Sequence, residues 1–299
     1  MKRTALLFSG QGSQFVGMGK SVYEYSKKAR EVFDISTKVV GCNMADLCFS
    51  GPSEILNKTF FSQLGILTVE LALYETFKEL NVDICAVAGL SLGEYASLFA
   101  TGVINLKETF ELVSFRAMAM EKEISEDVGR MIAVIKCNIN DLRSICNNIG
   151  LEKCGISNYN SDEQVTISVK KEYYNILIKE IRDLNGLIIP LNINRPFHHK
   201  LMKPAADVYL QTLSRFSFRK PSKPLYLNVT GKVYDNNTSF VDILYRQIYE
   251  PVLWKNIIDS MLIEGITEFY EISPKSILHS FIKNTGNNDI KLIDVNKLF

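Results

Sequence analysis

The stretch Ile84-Cys-Ala-Val-Ala88, Gly89-Leu-Ser-Leu-Gly93 and the residues from Glu94 to Ala100 constrain this chain more than any other part. A short charge-free apolar run reads as a buried strand, and the spacing after the second glycine is helical. Between them stands G-x-S-x-G, a pattern that puts a serine on a sharp strand-to-helix turn. The two glycines remove Cβ atoms where strand and helix must approach. Ser91 would then stand at the carboxyl edge of a sheet, with helix N–H groups, that of Leu92 first, aimed at its reaction centre. The bland alternative is a loop with a capping serine. The flanking strand and helix weigh against it.

The same grammar recurs along the chain. Thr4-Ala-Leu-Leu-Phe8 is a buried strand running into Ser9-Gly-Gln-Gly-Ser13. Helical patterning fills the twenties and thirties, then about 63–80 and about 106–123. Strand, tight turn and helix in repetition predict an α/β fold with a mostly parallel sheet. Near Gly129 the texture changes: strands at 131–135, 164–168 and 187–193 alternate with helices at 140–149 and 172–184. That β-α-β-α-β order predicts a small α+β subdomain inserted in the larger one. Helices at 201–213, 240–249 and 254–264 and strands at 225–229 and 267–272 complete the large unit. The domains expected are 1–128 with 197–299, and 129–196.

Composition excludes several classes. The 34 Lys and Arg offset 33 Asp and Glu, and a net charge of +1 argues against general nucleic-acid binding. A 46% apolar and 22% charged chain is ordinary for a soluble globular protein. No apolar run suits a signal peptide or a membrane span. The six cysteines form no CxxC pair and read as reduced, mostly buried thiols of a cytoplasmic protein.

A serine nucleophile needs a base, and only three histidines are available. His198 and His199 lie together in Arg195-Pro-Phe-His-His-Lys200, while His279 reads as surface packing on a late helix. The pair at 198 and 199 leads. Gly10-Gln-Gly-Ser-Gln14 lacks the pattern of a P-loop or a dinucleotide fold. It is either a simple tight turn or a loop that offers the Gln11 backbone as a second oxyanion donor. Arg116 stands in Leu112-Val-Ser-Phe-Arg-Ala-Met-Ala-Met120, on a helix face otherwise carrying Leu and Met. Residue physics favours an arginine snorkelling at the core's edge. The sharper alternative is a guanidinium waiting for a ligand carboxylate.

Taken together, these residues resemble the malonyl-CoA:acyl carrier protein transacylases and the discrete acyltransferases of polyketide synthesis. The resemblance runs from residue 4 to about residue 283. It is carried by Gly10-Gln-Gly-Ser-Gln14, Gly89-x-Ser-Leu-Gly-Glu94, Arg116, Asn158-Tyr-Asn160, Pro196-Phe-His198, Asn228-Val, Arg246-Gln247 with Pro251-Val252, and Glu271-x-x-Pro274, in the family's order. It implies a hydrolase-like large domain, a ferredoxin-like small subdomain and a cleft between them. It implies a ping-pong transfer in which Ser91 attacks malonyl-CoA, His198 takes the proton, and the Gln11 and Leu92 N–H groups hold the oxyanion. Arg116 would bind the malonyl carboxylate, Gln247 would support the site by hydrogen bonding, Asn160 would lie near the histidine, and Phe197 matches the malonyl-selecting motif. The acceptor would be the phosphopantetheine thiol of an acyl carrier protein. No metal, redox cofactor, nucleic acid or membrane is implied, and a monomer is expected.

Departures from the family pattern fall at Leu64, Leu90, Ala117, Val169, Arg195, Ser273 and Lys275, several of them replacing glycine. They point to altered loops around the cleft and a specialised carrier protein. An acidic carrier is expected to dock on a rim drawn from Arg195, Lys200, Lys203, Arg219 and Lys220, and Arg195 could also reach the cleft, to share the carboxylate or crowd it. Two competing readings are an acyl hydrolase, which would not need Arg116, and an idle subunit that only docks a carrier.

Overall fold

The computed structural model describes residues 3–283 and 289–299. In chain order, β1 (Arg3–Phe8) leads through α1 (Lys20–Tyr25), α2 (Lys27–Val40), α3 (Met44–Ser50), α4 (Ser53–Leu56) and α5 (Thr59–Phe77) to β2 (Ala86–Gly89). Helices α6 (Gly93–Ala100) and α7 (Leu106–Lys122) follow. Next come β3 (Gly129–Ile135), α8 (Ile139–Ile149), β4 (Cys154–Tyr159), β5 (Gln164–Lys170), α9 (Tyr174–Asp183) and β6 (Leu187–Pro190). The chain closes with α10 (Lys203–Leu213), β7 (Leu225–Leu227), β8 (Lys232–Val233), α11 (Phe240–Gln247), α12 (Trp254–Ile263), β9 (Ile266–Ile272), α13 (His279–Ile282) and β10 (Lys291–Asp294).

Among the described residues, six strands form one sheet in the order β10-β9-β1-β2-β7-β8, parallel except at β7–β8. Alternation along β1 shows why its strands are apolar throughout. Leu6 and Phe8 face the core beneath α2, α5 and α7, while Ala5 and Leu7 face the core beneath α12 and α13. A parallel sheet covered on both faces needs apolar residues at both parities.

The other four strands form an antiparallel sheet in the order β4-β5-β3-β6. Ile132, Val134 and Ile167 pack against Leu142 of α8 and against Leu177 and Ile181 of α9. Residues of the opposite parity, Met131, Ala133 and Thr166, line a cleft against the large sheet's carboxyl edge. The two sheets are stitched where Tyr159 N–H donates to Val252 O and Val252 N–H to Ser157 O, both at 2.9 Å.

β4, absent from the sequence expectation, makes the small unit β-α-β-β-α-β. Its Gly, Ser and Asn carry no alternating signal because both faces are buried, and Ser157 Oγ satisfies itself on Thr166 O at 3.1 Å. Helices α3 and α4 and the short strands β8 and β10 were likewise not expected. Of the six thiols, which are free, three are buried and three half-buried. His279 is no surface residue either: its ring is half-buried, 3.5 Å from the Glu271 carboxylate. Among the described residues no helix is long and apolar enough to cross a membrane, and no cluster of metal-ligating side chains occurs.

Candidate active site

The turn after β2 is as tight as its glycines require. A Cβ on Gly89 would sit 1.9 Å from Gly93 O, and one on Gly93 would sit 2.3 Å from Ser9 O. Ser91 between them adopts φ 54°, a left-handed conformation that a non-glycine residue holds only when its surroundings compel it. Asn228 supplies the compulsion. Its Oδ1 accepts the Ser91 N–H at 2.6 Å, and its Nδ2 donates to Gly89 O at 2.6 Å.

His198, also left-handed at φ 55°, meets the serine from the loop after β6. Its Nδ1 lies 2.7 Å from the backbone carbonyl of Gln247, and its Nε2 lies 2.7 Å from Ser91 Oγ. A carbonyl can only accept, so the proton sits on Nδ1 and the Nε2 lone pair faces the hydroxyl. Burial, reinforced by the nearby Arg116 cation, pushes the imidazole down to about 3, so it is neutral and able to take a proton. His199 faces elsewhere, bonded through Nε2 to Leu151 O at 3.1 Å and accepting the Leu201 N–H on Nδ1 at 3.2 Å.

Arg116 corrects the expectation of a snorkelling side chain. It is 1% exposed. It donates to Gln63 Oε1 at 2.6 Å and, at 3.2 Å each, to Ser91 Oγ and Gln247 Oε1, while its Nε has no partner among the described residues. Among the described residues no carboxylate lies within ion-pair distance of it. A buried guanidinium held by neutral acceptors, with one N–H unused, is suited to receive an anion. The Tyr95 ring lies beneath it, 5.3 Å from centroid to guanidinium carbon.

These groups open into a cavity of about 420 Å³ whose walls include Gln11, Leu90, Arg116, Asn160 and Phe197. Leu92 stands at the N-cap of α6, after which the N–H groups of Gly93, Glu94 and Tyr95 donate to the Leu90, Ser91 and Leu92 carbonyls. Asn160 lines the same cavity as His198, with Nδ2 on Thr166 Oγ1 at 3.3 Å and Oδ1 without a partner among the described residues. Phe197 is buried, and Ser168 Oγ donates to its carbonyl at 2.7 Å. Gln11, Ser91, Arg116, Asn160, Phe197 and His198 line this cavity, and Gln247 joins them through its bonds to Arg116, His198 and Ser91. Arg195 does not. It is 6% exposed and donates to Ile124 O and Glu121 O, so it neither reaches the cleft nor joins a docking rim.

Three residues were not singled out for a role: Gln63, Asn228 and Glu94. The one local signal was Gln63, a polar side chain in the first three turns of α5, where the residues from Thr59 to Val69 are otherwise apolar or small. Glu94 is fully buried, accepting from Asn228 N–H at 3.0 Å on one oxygen and from Gln247 Nε2 on the other. Burial pushes it up to about 7, against the lowering pull of those donors and of Arg116.

Fold and site together are those of an acyltransferase, and the family model described as the acyl transferase domain matches residues 5–296. The malonyl CoA-acyl carrier protein transacylase of Bacillus subtilis strain 168 is 32% identical over 299 residues, covering 99% of this chain and 94% of the relative. This chain belongs to the malonyl CoA-acyl carrier protein transacylase family. The crystal structure of the Clostridium perfringens enzyme of that name superimposes with a TM-score of 0.92 at 32% identity, covering 97% of this chain and 92% of that one. A malonyl transacylase in complex with its type II polyketide-synthase acyl carrier protein superimposes with a TM-score of 0.94 at 28% identity, covering 99% and 98%.

Proposed function

We propose that this protein transfers a malonyl group from coenzyme A to the phosphopantetheine thiol of an acyl carrier protein through a malonyl-serine intermediate. The observation that carries it is Arg116: a buried cation without a carboxylate partner, 3.2 Å from the serine hydroxyl. An acetyl group has nothing to offer such a residue. A malonyl group brings the missing charge.

The chemistry follows from the geometry. Ser91 Oγ attacks the thioester carbonyl while its proton passes to His198 Nε2, and the oxyanion forms against the Gln11 and Leu92 N–H groups. Collapse breaks the C–S bond, and His198 returns its proton to the departing coenzyme A sulfur. The carrier's thiol then attacks the acyl-serine by the same steps reversed. Gln247 orients the imidazole through its main chain and Arg116 through its side chain, while Asn160 and Phe197 shape the pocket.

The β-α-β-β-α-β order and the strand order β4-β5-β3-β6 support a ferredoxin-like small subdomain over 129–196. The elbow after β2 supports a hydrolase-like large domain over 1–128 and 197–299. Both Ser91 and His198 suffice without metal or redox cofactor, coenzyme A and phosphopantetheine entering as substrate and acceptor. The protein is proposed to act as a cytoplasmic monomer, with the carrier's acidic surface meeting Lys200, Lys203, Arg219 and Lys220.

Intact-mass spectrometry after mixing with malonyl-CoA tests the reading. A malonyl adduct that maps to Ser91, vanishes in Ser91→Ala and is discharged by holo carrier protein is expected. An acetyl preference with release to water would overturn it.

A further inference from the structure

The reacting pair has no acid of its own, yet one buried carboxylate stands directly behind it. Glu94 follows the elbow on the first turn of α6 and is fully buried. One of its oxygens accepts the Asn228 N–H, and Asn228 in turn holds Ser91 N–H and Gly89 O. The other accepts from Gln247 Nε2, and Gln247 holds His198 through its carbonyl and Arg116 through Oε1. Nucleophile, base and arginine therefore share a single support.

We propose that Glu94 is a positioning residue whose ionised carboxylate, by accepting on both oxygens at once, ties the Ser91 elbow to the His198 base, and that its protonation uncouples them. This rests on the proposed function only in taking Ser91 and His198 as the reacting pair.

Charge state decides whether the tie holds. Both partners are donors, so each Glu94 oxygen must be an acceptor. A proton on either oxygen would turn a charged acceptor into a hydroxyl that accepts more weakly, and the NH2 of a glutamine would point a donor at a donor. Gln247 cannot flip to compensate. Its Nε2 also donates to Ser91 O at 2.9 Å, and its Oε1 is occupied by Arg116 at 3.2 Å. A buried donor left without an acceptor is costly, so the network would shift instead.

The other groups around Glu94 do not titrate in the range where it does. Arg116 of α7 carries a guanidinium, a permanent cation. The Tyr95 hydroxyl of α6 is pushed up to about 12 by burial, and that of Tyr209 on α10 is raised as well. His198, behind Gln247, is held down to about 3. Burial brings Glu94 to about 7, so the acid side of the activity profile near neutrality falls to Glu94 and not to the histidine.

The test is the pH profile of Ser91 reactivity from pH 5 to 9 in wild type, Glu94→Gln and Glu94→Asp. It is read with two probes: acylation by malonyl-CoA and labelling by a fluorophosphonate, which needs the activated serine but no acyl substrate. Wild type should lose reactivity below about neutrality with both probes. Glu94→Gln should react about 10²-fold more slowly, the scale of a misplaced reacting group, and its rate should no longer fall between pH 8 and 6. Glu94→Asp should recover part of the rate and keep an acid limb, shifted in midpoint. A wild-type rate, or an unmoved acid limb, in Glu94→Gln would overturn the proposal. If that variant fails to fold, an unshifted limb in Glu94→Asp would do the same. Were malonyl-CoA to leave no adduct while the fluorophosphonate profile behaved as stated, the malonyl reading would fail and this one would stand.

Discussion

The backbone carbonyl of Gln247 lies 2.7 Å from Nδ1 of His198, in the position where a carboxylate would orient the histidine of a Ser-His-Asp triad. A carbonyl fixes the same tautomer but brings no negative charge to stabilise the imidazolium that would form if Ser91 gave up its proton as proposed. That charge is instead placed one residue further back, on Glu94, and reaches the imidazole only through the Gln247 amide. Burial and the Arg116 cation keep the base neutral, with its lone pair on the serine hydroxyl at 2.7 Å.

His198→Ala should slow acylation by malonyl-CoA about 10²–10⁴-fold, the range for loss of a general base. His199→Ala should cost far less, since its ring bonds Leu151 and Leu201 and not the serine. Stopped-flow or quenched-flow measurement of the adduct compares the two. A larger loss at His199 would overturn the assignment.

Asn228→Ala should destabilise the fold by about 1–3 kcal/mol, because Ser91 N–H loses its acceptor in a buried turn held at positive φ. Asn228→Asp separates support from bulk. It keeps an acceptor for Ser91 but turns a second oxygen on Gly89 O, replacing a hydrogen bond with repulsion. Thermal melts together with Ser91 labelling should show both variants impaired, and a wild-type melting temperature and labelling rate in Asn228→Ala would contradict this account.

How much of this was legible beforehand differs from residue to residue. The elbow could be read because strand, glycines and helix are contiguous, so a local pattern contains the whole geometry. The histidine could be narrowed because only three exist. Arg116 could not be placed by residue physics alone: helical spacing assigns it to an apolar face, but that face borders either solvent or a cleft depending on what the small subdomain covers. Asn228 and Glu94 are joined by bonds spanning 134 residues, and no local window contains such a pair. β4 escaped notice for a related reason. It is clamped between β5 and the Val252 segment, where small polar side chains satisfy themselves on backbone and the period-2 signal disappears.

Acid should weaken the fold through His198. Its folded value is depressed from 6.5 to about 3, so between those limits the unfolded chain binds a proton that the native state does not. The His198 contribution to stability therefore rises with pH across that window and is lost as pH falls from about 6.5 towards 3, while Glu94, raised from 4.5 to about 7, contributes the opposite slope over the upper part of it. His198→Ala should flatten the melting-temperature profile over that interval relative to wild type, and an unchanged slope would mean that other groups dominate the acid response.

Arg116 should discriminate between acyl groups by charge. In the proposed reading a malonyl carboxylate would take the unpartnered Nε–H and the bonds now made to neutral acceptors, which would offset the cost of burying both charges. When acetyl binds, the guanidinium gains nothing. A hydrogen bond to a charged group contributes about 1.5–3 kcal/mol, which is roughly 10- to 150-fold in kcat/KM at about 1.4 kcal/mol per decade. Arg116→Ala should lower malonyl transfer by at least that order while leaving acetyl-CoA turnover unchanged or raised. Arg195→Ala makes the contrast, since that side chain is committed to the carbonyls of Ile124 and Glu121 and should leave the malonyl-to-acetyl ratio as it is. The measurement is the ratio of malonyl to acetyl loading on carrier protein in wild type and both variants. A ratio that follows Arg195 and ignores Arg116 would place the carboxylate elsewhere in the cleft.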